Sequence, residues 1–103
     1  MALEYPDQLV NTGSITVANP AAAVTVTLGW QPRYVKAVNI NDLKIYEWFE
    51  GMADAAYLLT ANHADTQIAV GTTNGITVSA TGVTFGTTIC DTAADVVRWI
   101  AIR

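Results

Sequence analysis

The chain reads as an all-β protein, an antiparallel β-sandwich or small jelly-roll-like barrel with one short helix or loop near residues 51–65. Three observations predict this. Thr, Val and Ile dominate the sequence, and β-branched side chains fit a pleated surface better than a helix. Apolar and polar residues alternate with period two in "AVTVTLG" and "GITVSATGVTF", so that each run carries one dry and one wet face. Turn residues interrupt these runs at short intervals, as in sandwiches and small barrels.

Taken in order, residues 1–13, "MALEYPDQLVNTG", have little periodicity and read as an N-terminal arm that could fold back or cross to a neighbouring subunit. Residues 14–103 then form a single β domain. At this length one core buries roughly two-thirds of the unfolded surface without a metal or disulfide. Strands are predicted near residues 14–18, 23–28, 34–40, 44–50, 67–70, 75–80, 83–85 and 96–102. Asn19-Pro20, Asn41-Asp42, Asn74-Gly75 and Thr81-Gly82 supply turns between them. In the segment 51–65, Met52, Ala55, Ala56 and Leu59 fall near helical spacing, which makes a short helix or a packed loop the expectation there.

The charge pattern excludes one class of partner. The net charge is −4, and the five basic residues Arg33, Lys36, Lys44, Arg98 and Arg103 are scattered. No basic stripe exists to displace counterions from phosphates, so nucleic acid is not expected as a partner. No apolar run reaches the ~18 residues of a membrane span, and the first residues are acidic where a secretory signal would be basic. With Cys90 the single cysteine, no disulfide within the chain is possible and assembly in a cytoplasm is expected.

Catalytic chemistry is weakly represented. His63 and Cys90 are single residues of their kind without a surrounding motif, so a loop residue and a small buried hydrophobe are the expectations. Glu47 and Glu50 lie on opposite faces of one strand and cannot share a substrate bond. Asp91 and Asp95 read as a polar loop before the last strand. The glycines at 71, 75, 82 and 86 serve turns, with no phosphate-binding fingerprint. No enzyme, cofactor or metal is expected.

Three strands are apolar on both faces. In "KIYEWFE" Ile45 and Phe49 oppose Tyr46 and Trp48; "RYVKAVNI" sets Val35 and Ala37 against Tyr34, Val38 and Ile40; "VVRWIAIR" sets Val96, Ile100 and Ile102 against Val97, Trp99 and Ala101. One thin core does not account for all six faces, and only 14% of the residues are charged. The surplus is expected to form an association surface, for which Tyr34, Tyr46, Trp48, Arg98 and Trp99 are the candidates, aromatics beside Arg being typical of interface centres.

The stretches "GWQPRYVKAVNIND", "YEWFEGMADA", "NGITVSATGVTFGT" and "RWIAIR", in this order, resemble small proteins encoded among the head genes of tailed bacteriophages, which serve as capsid decoration or cement proteins. The resemblance covers residues 29–103. It implies a β-sandwich or jelly-roll-like module that adds to a capsid from outside, often as a trimer, with the major capsid protein as partner and no catalytic residues to carry over. The outer surface of a virion is then the expected location, which suits an acidic chain. Two other readings compete. A tail or head-fibre module would use the Thr-rich loops between Gly71 and Thr88 on a host receptor or glycan, and a small ligand-binding barrel would need a sparsely filled interior.

Overall fold

The computed structural model describes residues 9–61 and 68–103, and among them the chain is all-β, with eight strands and no helix. The strands are β1 (Val10–Thr16), β2 (Val24–Thr27), β3 (Tyr34–Asn39), β4 (Lys44–Phe49), β5 (Ala56–Ala61), β6 (Ile68–Ser79), β7 (Gly82–Phe85) and β8 (Val96–Ile102). They form one antiparallel sheet in the order β1-β8-β3-β4-β5-β6-β7-β2, curled into a nearly closed barrel. The two edges, β1 and β2, are joined through the Asn19–Pro20 bend.

The turns form where the residue types allow them. Asn41 and Asp42 connect β3 to β4, with Leu43 completing the turn at φ 57°. The Asn39 side chain stabilises this bend, its Oδ1 accepting the N–H groups of Asn41 and Asp42 at 3.1 and 3.0 Å, an Asx turn. Ala80 and Thr81 turn β6 into β7, one residue before the expected Thr81-Gly82, and Gly82 already pairs with Ser79. Gly51, at φ 102°, ends β4 in a conformation that costs other residues strain.

Two expectations are corrected. Residues 56–61 form β5, a central strand rather than part of a helix or loop. It pairs with β4 through Lys44↔Ala61, Ile45↔Thr60, Tyr46↔Leu59 and Glu47↔Leu58, and with β6 on its other side. Ladders on both sides outweigh the modest helical preference of Met, Ala and Leu. Nor is Asn74-Gly75 a hairpin turn. The chain continues through it as one long β6, and the pair lies in a bulge where the register jumps from Ala56↔Ile76 to Tyr57↔Gly71. Asn74 takes the left-handed conformation there, at φ 54°. β1 also begins at Val10, so residues 10–13 pair with β8; residues 1–8 of the expected arm lie outside the described residues.

The core fills the barrel. Val35 and Ala37 from β3, Tyr46 and Trp48 from β4, Ile76 from β6, Val83 and Phe85 from β7, and Val97, Trp99 and Ala101 from β8 point inward, joined by Ile15 and by Ile89 and Cys90 from the β7–β8 connection. Aromatic rings meet across it, Tyr46 edge-on to Tyr57 at 5.5 Å and Phe85 against Trp99 at 6.1 Å. Gly13 lies opposite Trp99 in the register, and a side chain there would collide with the indole.

Candidate functional site

The two-sided strands resolve once the barrel is closed. Tyr46, Trp48 and Trp99 are 1%, 5% and 8% exposed. Three of the five expected contact residues are therefore core residues, and that expectation is corrected. For Tyr46 and Trp48 the physical reason lies in their polar ends: Tyr46 Oη donates to the Thr88 carbonyl at 3.2 Å and Trp48 Nε1 to the Ala53 carbonyl at 3.2 Å, while Trp99 packs against Phe85. Tyr46 and Trp48 thus enter the core without an unsatisfied donor.

Since side chains alternate, the opposite residues face outward. The register aligns them in rows across the sheet. One row is Val10, Ile102, Tyr34 and Phe49; the next is Thr12, Ile100, Lys36, Glu47, Leu58 and Val70; a third contains Ser14, Arg98, Val38, Ile45 and Thr60. Tyr34 and Arg98 belong to this outer face. Val10, Phe49 and Val70 are exposed at 58%, 46% and 71%, and Val38, Ile45, Ile100 and Ile102 are half-buried. Lys36, Val38, Arg98 and Ile100 border a shallow groove of about 190 Å³ on it.

Tyr34 is a fixed point of that face. Its ring packs on Phe49 at 5.1 Å, and its hydroxyl donates to Glu47 Oε2 at 2.5 Å. Partial burial, together with the Glu47 carboxylate, pushes the phenol up to about 12. A second, polar groove of about 440 Å³ opens at one end of the barrel between Trp30, Arg33, Glu50 and Arg103. The exposed Arg33–Glu50 pair across it, at 3.9 Å, contributes at most about 1 kcal/mol.

At the end of the barrel where β3 turns into β4, the structure assembles a group that the sequence pattern left apart. Asn39, at 0% exposure, donates through Nδ2 to the Ile89 carbonyl and to Asp95 Oδ2 at 3.0 and 3.1 Å. Asn41 Oδ1 accepts the Val96 N–H at 2.8 Å. These bonds tie the β3–β4 turn to the β7–β8 connection and bring carboxylate oxygens of Asp42, Asp91 and Asp95 within 4.8 Å of one another. Burial, then Asp91 and Asp95, raises Asp42 from 3.8 to about 6, with Lys44 acting weakly the other way. Asp91 and Asp95 do sit in a loop before β8, yet the signal that they meet Asp42 is only the pairing of distant strand ends. His63 lies outside the described residues. Cys90 is buried, and burial followed by the Asp91 charge raises its thiol.

The class that these features define is an antiparallel, nearly closed β-barrel with a packed interior and an outer sheet face on which exposed apolar groups lie among polar ones. In comparisons with known proteins the chain matches no family model, no curated sequence and no solved structure.

Proposed function

We propose that the chain is a non-catalytic structural protein of a tailed-phage virion, which attaches to the outside of an icosahedral capsid and stabilises it by bridging capsomers. The observation that carries this reading is the apolar outer face of β1, β8, β3, β4, β5 and β6. Val10, Phe49 and Val70 are exposed there at 58%, 46% and 71%, with Val38, Ile45, Ile100 and Ile102 half-buried in the same rows. Apolar groups left there in water mark an association site, and Lys36, Arg98 and Glu47 add polar contacts of both signs. Val10, Tyr34, Val38, Ile45, Phe49, Arg98 and Ile100 are the proposed contacts. Partners are further copies of the chain, as a trimer, and the major capsid protein. A trimer bridging several capsomers gains avidity from individually modest contacts, and buried surface across the seams favours the closed shell.

Close filling of the interior by Tyr46, Ile76, Phe85 and Trp99 argues against a reading in which the barrel encloses a ligand. The test is light scattering on size-exclusion fractions, then addition to capsids lacking the protein. An oligomer that binds those capsids and raises their melting temperature is expected, and Ile45→Ser with Phe49→Ser should abolish both effects while the chain stays folded. A monomer that neither binds nor protects capsids overturns the proposal.

A further inference from the structure

We propose that the polar groove at the end of the barrel, between Trp30, Gln31, Arg33, Glu50 and Arg103, binds a small sugar acid, a hydroxylated ring that carries one carboxylate. Its volume of about 440 Å³ lies within the roughly 300–1,000 Å³ of small-molecule sites. Four parts of the chain that are distant in sequence build it: the segment from β2 to β3, the end of β4, the β6–β7 turn at Ala80, and the residue after β8.

Backbone hydrogen bonds fix these walls. The Gly29 N–H donates to the Thr81 carbonyl at 2.9 Å, the Arg33 N–H to the Ile102 carbonyl at 2.8 Å, and the Glu50 N–H to the Arg33 carbonyl at 2.7 Å. Pro32, fully buried, anchors the segment that carries Trp30 and Arg33. A groove held in this way needs little ordering when a ligand enters.

Its chemistry selects the ligand. The chain carries a net charge of −4, yet two of its five basic residues meet here with one acid. Arg33 Nε stands 3.9 Å from Glu50 Oε2, too far for a hydrogen bond, and among the described residues no carboxylate pairs with Arg103. Both guanidinium forks are thus available to a carboxylate, whose two oxygens match their parallel N–H groups. Two guanidiniums against one carboxylate leave a single positive charge, which suits a monoanion, whereas a phosphate dianion would be repelled by Glu50. Trp30 is half-buried, packed against the core yet bordering the groove, so part of its indole offers an apolar surface to the C–H groups of a ring. The exposed Gln31 and Glu50 supply a donor and acceptors for hydroxyls. None of the proposed capsid contacts lines this groove, so the inference does not depend on the capsid reading.

The test is titration of the full chain with galacturonate, glucuronate and N-acetylneuraminate, and with galactose, acetate and inorganic phosphate at matched ionic strength, followed by heteronuclear NMR. At least one sugar acid should shift the Trp30 indole N–H saturably, and the signals of the buried Trp48 and Trp99 should stay in place. Galactose, acetate and phosphate should each bind at least about 10-fold more weakly than that acid. Arg33→Gln and Arg103→Gln should each weaken it by about 10-fold; both side chains are exposed, so the fold should survive. Lys36→Gln, on the outer sheet face, should change nothing, and Glu50→Gln should narrow the gap between phosphate and the sugar acid. The proposal is overturned if no sugar acid shifts Trp30, if galactose, acetate or phosphate binds as tightly as the acid, or if Arg103→Gln leaves the affinity unchanged.

Discussion

Trp48 and Phe49 are adjacent in the chain and have opposite roles. Trp48 is in the core with its indole N–H bonded to Ala53, and Phe49 is 46% exposed on the outer face. Trp48→Ala should cost about 3–5 kcal/mol in urea unfolding through the cavity it leaves. Phe49→Ser should cost less, about 1 kcal/mol, because nearly half of the residue already lies in water and no closed cavity is left behind. Asp42 makes stability depend on pH. Its folded pKa, about 6, lies above the ordinary 3.8, so between these values the folded chain binds more protons than the unfolded chain. This residue's contribution makes stability fall as pH rises from about 4 to 6. Asp91 and Asp95 face it from the β7–β8 connection and Lys44 from β4, with Tyr46 and Cys90 neutral in that range. Urea midpoints from pH 4 to 7 should show the fall, and Asp42→Asn should remove this part of it.

The strands differ in how much of them can be read from local pattern. β8 matches its expected limits of 96–102, and β3, β4 and β7 match to within a residue, because their Val, Ile and aromatic runs end at turn residues. β5 was obscured by Met52, Ala55, Ala56 and Leu59, whose spacing fits a helix as well as a strand; its pairing with β4 and β6 settles the matter. The aromatic contacts between these strands carry a testable consequence. Tyr57 of β5 lies over Gly71 of β6, and a side chain at 71 would overlap the Tyr57 ring. Gly71→Val should therefore lower Tm by several degrees despite the higher strand propensity of valine, and Tyr57→Ala in the same chain should recover part of that loss. A neutral or stabilising Gly71→Val would contradict the packing described between β5 and β6.

For the molecule as a whole, closure of the sheet separates folding from association. The Tyr46, Trp48 and Trp99 rings are enclosed within one chain, so the core does not need a partner for its completion. Monomeric fractions in the size-exclusion experiment should accordingly keep the near-ultraviolet circular dichroism of buried tryptophan. Closure also explains why an excess of apolar strand faces was legible from the start while its allocation was not. Period-two alternation separates Tyr46 and Trp48 from Ile45 and Phe49, yet it is unchanged if the two sets trade places. The same limit applies to the carboxylates, since Asp42 and Asp91 are far apart in the chain and meet only because β3 and β8 pair.

Composition and short-range pattern were thus sufficient for the all-β class, most strand positions, the Asn41-Asp42 turn, the β6–β7 turn to within a residue, and the surplus of apolar faces. These depend on residues within a few positions of one another. The inward face of β4 and β8, the identity of β5, the bulge at Asn74-Gly75 and the grouping of Asp42, Asp91 and Asp95 were decided by tertiary structure. Each follows from which strands become neighbours, and that choice is made by packing and hydrogen bonding across long stretches of chain.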